Sequence, residues 1–158
     1  MTNMIADASV VRPASFVIIP TTWRDLGQLR ALERVCFGPD GWGYLELIGS
    51  LLLPATVRLK AVIDERLVGF AVGDIRRYER VGWVATIAVH PDYQRRGIGE
   101  ALLRMCESGI NLPTIKLTVR ASNAPAIRLY TKLGYKRAGV WHRYYSGGED
   151  GVVMEKVL

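Results

Sequence analysis

Residues Val84 to Leu103, V-A-T-I-A-V-H-P-D-Y-Q-R-R-G-I-G-E-A-L-L, constrain this chain more than any other stretch. They read as a buried strand, a tight turn and a helix whose first turn is nearly bare backbone. Val84, Ile87 and Val89 are β-branched, and Pro91 behind His90 removes a ladder donor and closes the strand. Asp92 opens a polar turn. Ile98, Ala101, Leu102 and Met105 then fall at i, i+3, i+4 and i+7, the stripe of an amphipathic helix that runs to about Ser108, with Gly109 as its stop. Gly97 and Gly99 sit in that helix's first turn, where glycine costs helix stability. Two readings follow. The bare N–H groups and the positive dipole end can close on an anion such as a pyrophosphate, with Gln94, Arg95 and Arg96 adding donors at the same mouth. Alternatively the glycines serve an ordinary turn with a close helix–strand contact. The stretch matches neither G-x-x-x-x-G-K-S/T nor the full G-x-G-x-x-G.

Charge bears on the choice. A net charge of +6 and a pI near 9.6 favour an anionic partner, either nucleic acid or a phosphate-rich cofactor. The basic residues are scattered, and no zinc-finger or RNA-binding aromatic signature accompanies them, so direct nucleic-acid binding is not expected. The 158 residues suit one domain with a real core. Cys36 and Cys106 lie in apolar helical contexts, which suits free thiols in a reducing cytoplasm. His90 and His142 lack metal-ligand spacing, so no metal is expected. No apolar run reaches membrane-spanning length. Residues 1–14 lack the order of a signal peptide and read as a flexible N-terminal tail ahead of a domain over 15–158.

Along the chain, Phe16 to Ile19 is a short strand closed by Pro20, and Thr21 or Thr22 caps a helix through Leu26, Leu29, Leu32 and Cys36. The break Gly38-Pro39-Asp40-Gly41-Trp42-Gly43 separates it from a helix over Tyr44 to Leu53. That loop either borders a substrate groove or simply joins two helices. Val57–Ile63 and Leu67–Ile75 flank Asp64-Glu65-Arg66 as a hairpin whose turn lacks glycine. Ile115–Val119 is a further strand. Ser122 or Asn123 caps a helix with Pro125 in its first turn and Gly134 at its end. Tyr135–Tyr145 and Val152–Val157 are the last strands. The order describes an α/β domain with a mixed sheet and helices on both faces.

Q-R-R-G-I-G after a strand resembles the acetyl-CoA signature Q/R-x-x-G-x-G/A of the GNAT acetyltransferases. A second block, L-T-V-R-A-S-N-A-P-A-I-R-L-Y-T-K-L-G-Y from Leu117 to Tyr135, is followed by R-Y-Y-S-G-G-E-D-G-V-V-M from Arg143 to Met154. Together they resemble the RimI-type and archaeal protein N-terminal acetyltransferases. The resemblance implies a mostly antiparallel sheet of about seven strands, acetyl-CoA as cosubstrate, and direct attack of a protein N-terminal amine on the thioester. It further implies that backbone groups around Ile87, Ala88 and Val89 hold the pantetheine arm and polarise the thioester carbonyl. Those of Arg95, Arg96, Gly97, Ile98, Gly99 and Glu100, beside Gln94, hold the pyrophosphate. By the same resemblance Asn123 binds the cofactor arm and Tyr130 protonates the departing thiolate. Asp40, Trp42, Tyr144 and Tyr145 match the loops that clamp the substrate peptide. As neighbours on one strand, Tyr144 and Tyr145 should point to opposite faces.

One departure matters. The family's general base, a glutamate or histidine in some members and a tyrosine in others, falls on Thr118 and Trp83, neither of which accepts a proton. An α-amine of pKa about 7.8 is roughly a quarter neutral near pH 7.3, against about one part in a thousand for a lysine side chain. The missing base therefore favours N-terminal substrates. Glu33, Asp40, Asp74 and Glu149 are the substitute candidates. A small-amine acetyltransferase and a non-catalytic acetyl-CoA-binding module are the alternative readings.

Overall fold

The computed structural model describes residues 15–158; the tail expected over 1–14 lies outside them. Seven strands form one sheet in the order β1-β2-β3-β4-β5-β7-β6. They are β1 (Val17–Pro20), β2 (Thr56–Ile63), β3 (Arg66–Arg76), β4 (Val81–Val89), β5 (Thr114–Arg120), β6 (Lys136–Trp141) and β7 (Gly151–Val157). Only β4 and β5 pair in parallel, joined by the crossover helix α3 (Ile98–Ile110). Helices α1 (Leu26–Phe37) and α2 (Tyr44–Leu52) cover one face, where Leu29, Leu32 and Leu47 pack on Leu67, Phe70, Val72 and Ala88. On the other face α3 and α4 (Ala124–Lys132) pack with Ala61, Ala71, Val84, Leu117 and Met154.

The seven strands, the mixed pairing and the helices on both faces agree with the expectation from the sequence. Several boundaries differ. Helix α3 ends at Ile110 with Asn111 at φ 50°, so Asn111 and not Gly109 caps it. Gly109 instead lets the helix approach the sheet, since a Cβ there would lie 2.9 Å from Val57 Cγ1. The β2–β3 turn uses Asp64 and Glu65 at φ 47° and 63°, the left-handed pair a two-residue hairpin needs, without the usual glycine. Strand β6 stops at Trp141, and Arg143 at φ 52° turns the chain away. Tyr144 and Tyr145 consequently lie in the β6–β7 loop, and their rings touch edge to face at 4.9 Å instead of lying on opposite faces.

Two irregularities shape the middle of the sheet. Val72 pairs with Thr86 but Gly73 pairs with Val84, leaving Ala85 as an extra, exposed residue of β4. The bulge reverses the alternation: Val84 joins the α3 core, whereas Thr86 and Ala88 face α1. Next to it, β4–β5 pairing runs only from Val81↔Thr114 to Val84↔Leu117. Beyond that point the strands part, and the β5-facing edge of β4 is open. A Cβ on Gly73 would lie 2.7 Å from Ile110 Cδ1 and 2.8 Å from Cys106 Sγ, so the bulge also depends on glycine against α3. Gly73→Ala is expected to cost about 1–3 kcal/mol by overpacking, read as a lower urea midpoint with an unchanged m-value.

Candidate active site

The open edge of β4 is defined by its hydrogen bonds. The His90 N–H donates to Val68 O at 2.8 Å, so alternation turns the backbone groups of Thr86 and Ala88 towards β3 and those of Ile87 and Val89 towards the gap. Ala88, paired with Phe70, directs its backbone groups to β3. The Val89 carbonyl already accepts from Gln94 Nε2 at 3.1 Å and from Cys36 Sγ at 3.5 Å. Among these residues Ile87 is the one whose N–H and C=O face the gap without a side-chain partner.

The turn from β4 to α3 alternates in handedness, with Arg95 at φ 61° and Gly97 at φ 81°. The backbone N–H groups of Arg95, Arg96, Gly97, Ile98, Gly99 and Glu100 have no protein acceptor among the described residues; the first helical bond is Ala101 N–H to Gly97 O. Consecutive N–H groups in such a turn, added to a helix N-terminus, form a concave anion receptor. No described atom lies within 4 Å of a Cβ built on Gly97, and at Gly99 the nearest are at ordinary contact distance, 3.7 Å or more. The glycines here therefore do not serve a close helix–strand contact. The side chains at this mouth act on the turn itself: Gln94 ties it to β4, and Arg96 reaches Asp92 O at 3.4 Å and lies over the Tyr93 ring. Glu100 turns outward to Arg104 and Lys132, and its hydrogen bond from Arg104 holds its carboxyl below the usual range.

Across the gap stands α4. Asn123 Oδ1 accepts from Ala126 N–H at 3.3 Å as the N-cap, so its amide nitrogen remains available. Tyr130 is buried, with 9% of its surface exposed. Burial pushes its phenol up to about 12, so it stays protonated through neutrality.

On the α1 side of the gap, the two loops expected to clamp substrate meet. Asp40 accepts from Ser146 N–H at 2.8 Å and pairs with Arg120, which also donates to Glu149 at 2.7 Å. Glu149 accepts from Ser122 N–H at 2.7 Å. The Arg120 guanidinium lies 4.8 Å from the Tyr145 ring centroid. Burial, followed by neighbouring Tyr144, pushes the Tyr145 phenol up to about 12. Trp42 is held from the other side, its N–H donating to Glu33 Oε2 at 2.9 Å while Thr86 Oγ1 donates to Glu33 Oε1 at 2.8 Å. Glu33 is 0% exposed, and burial pushes its carboxyl up. Gly41 is obligatory in this loop, since a Cβ there would lie 2.7 Å from Glu33 O.

The two positions where relatives carry a base are occupied without one. Trp83 stacks on Trp141 at 5.5 Å, and Trp141 leads on to Tyr144 at 5.0 Å. Thr118 faces Gly151, where a Cβ would meet its Cγ2 at 2.8 Å. Of the substitute candidates, Glu33, Asp40 and Glu149 are fully engaged, and Asp74 accepts from Arg76 Nε at 3.1 Å. Arg120, Thr86 and Gly41 were not singled out from sequence. Arg120 stood within the V-R-A-S-N block, but its pairing with a carboxylate eighty positions earlier has no local signature.

The chain matches the model of the Acetyltransferase (GNAT) family over residues 23–135. It is 34% identical over 145 residues to a ribosomal protein bS18-alanine N-acetyltransferase of Salmonella typhimurium, covering 86% of this chain and 88% of that protein. An N-alpha-acetyltransferase of Saccharolobus solfataricus is 31% identical over 148 residues, covering 85% and 88%. The crystal structure of the ribosomal-protein-S18-alanine N-acetyltransferase from Escherichia coli superposes with a TM-score of 0.82 at 28% identity, over 90% of this chain and 94% of that one. The chain belongs to the GNAT acetyltransferase family.

The Glu149 contacts carry a pH signature. Hydrogen bonds from Ser122 and Arg120 lower its carboxyl from 4.5 to about 2. A folded pKa below the unfolded one means stabilisation that is complete above about pH 4.5 and disappears as the pH falls through about 2. Glu149→Gln is therefore expected to lower the denaturant midpoint at pH 7, with the gap to wild type closing between pH 4.5 and 2. An equal gap at both ends of that range contradicts the assignment.

Proposed function

We propose that this chain is an acetyl-CoA-dependent N-acetyltransferase that acetylates the α-amino group of protein N-termini, with residues 15–158 as its catalytic unit. The observation that carries the reading is the adjacency of the N–H receptor at Arg95–Glu100 to the open β4 edge at Ile87. A pyrophosphate fits the first, and an amide-bearing arm fits the second as an added strand. The full-length similarity to N-terminal acetyltransferases supports the substrate class.

When bound, acetyl-CoA supplies a thioester whose acyl group passes to the amine without an acyl-enzyme. The residues present suit that route. Burial pushes the Cys36 thiol to about 11 and the Cys106 thiol to about 12, so neither is a thiolate near neutrality. Ile87 N–H polarises the carbonyl oxygen, and Asn123 holds the arm from the α4 side. Tyr130, protonated through neutrality, donates to the sulfur as it departs. On the substrate side, Asp40, Trp42, Tyr144 and Tyr145 border the peptide's path, and Arg120 keeps the two loops together. The amine uses its own pKa, because each candidate carboxylate is already engaged. That engagement also disfavours small polyamines, which need free acidic groups.

We place the enzyme in the cytoplasm. Both cysteines are free, and no helix among the described residues is long and apolar enough to cross a membrane.

Three outcomes are expected. Peptide kcat/KM should rise through the amine's own pKa of about 7.8, while a peptide offering only a lysine amine should react far more slowly near neutrality. A flat profile across pH 7–8 opposes this. Tyr130→Phe should lower kcat about 100-fold with little change in the KM for acetyl-CoA. Arg120→Gln should raise the peptide KM about tenfold and leave that for acetyl-CoA unchanged; equal effects on both substrates would remove Arg120 from loop alignment.

A further inference from the structure

We propose that Tyr135, Glu107 and Lys156 form a buried support that fixes the orientation of the Tyr130 phenol; this rests on the acid role given to Tyr130 above. Tyr130 is 9% exposed, so the groups packed on its ring fix where its hydroxyl points. Tyr135 supplies one of them. Its ring meets that of Tyr130 edge-on, with centroids 6.0 Å apart and planes at 61°, and its N–H donates to Tyr130 O at 2.9 Å. Both the ring and the backbone of Tyr135 therefore bear on Tyr130.

Tyr135 is itself fixed. It is 1% exposed, and its hydroxyl donates to Glu107 Oε1 at 2.7 Å. Lys156 Nζ donates to both Glu107 oxygens, at 3.3 and 3.0 Å, and lies 5.7 Å from the Tyr135 ring centroid. The Lys156 stem runs past Gly134, whose φ of 98° makes the turn from α4 to Tyr135. Glu107 comes from α3 and Lys156 from β7, so two elements of the same core converge on the residue that packs against Tyr130. An apolar trio of similar volume would hold the fold at least as well, because burying an ion pair brings little net stability. A fully satisfied polar network does something apolar packing does not: it admits one arrangement. Here that arrangement is transmitted to Tyr130, where a misplacement of about 1 Å can cost about 100-fold in rate.

The test is a double-mutant cycle on kcat, with the KM for acetyl-CoA and for an N-terminal peptide measured alongside. Tyr130→Phe is expected to lose about 100-fold in kcat. Tyr135→Phe is expected to lose about fivefold to tenfold, with both KM values within twofold of wild type. The double variant should equal Tyr130→Phe alone. Multiplicative losses in the double variant would make Tyr135 a packing residue and overturn the proposal, as would wild-type kcat for Tyr135→Phe. Wild-type kcat for Tyr130→Phe would instead overturn the acid role, and the support role with it. If near-ultraviolet circular dichroism shows Tyr135→Phe to be unfolded, Glu107→Gln replaces it, keeping an acceptor for the hydroxyl while removing the charge. That variant should lose about threefold in kcat in the wild-type background and nothing further beside Tyr130→Phe; no loss in wild type overturns the proposal.

Discussion

The extra residue in β4 governs the rest of the molecule. Were Ala85 regularly paired, the strand would keep Val84, Thr86 and Ala88 on one face. With the bulge, Thr86 turns to Glu33 on α1 while Val84 stays in the α3 core, and β5 departs after Leu117. Beside that inserted residue a strand edge lies open in the middle of a seven-stranded sheet, where every neighbouring backbone group is otherwise paired. Ends of the gap are set by what flanks it: the N-terminus of α3 at one side and the ring of Tyr130 at the other.

The loops over the gap are tied to one another by charge. Asp40, Arg120, Glu149 and the N–H groups of Ser122 and Ser146 join three segments that are distant in sequence. Arg120 is the hub, because a guanidinium offers a planar fork to two carboxylates at once. The carboxylates consumed in this work are unavailable as proton acceptors.

Much of this was legible in the residues. Periodicity located the helices, and β-branched runs the strands, because both report burial directly. The paired glycines of Gly97 and Gly99 signalled backbone access, and the R-A-S-N-x-x-A-I-x-L-Y block carried Asn123 and Tyr130. What stayed hidden depends on registers. Ala85 is an ordinary strand residue until its partner is known, and nothing local says that Tyr144 and Tyr145 follow a left-handed Arg143 and leave the strand. Glu33 reads from the sequence as a candidate base, yet its carboxylate is buried and holds Thr86 and the Trp42 backbone.

The Trp83–Trp141 stack spans the two halves of the parted sheet, one indole from β4 and one from the edge strand β6. Its planes are 24° apart at 5.5 Å, close enough for the ultraviolet transitions of the two rings to couple. The strong far-ultraviolet transitions of stacked indoles are the ones that couple, so the unlabelled protein carries an intrinsic optical reporter of how β6 sits across β4.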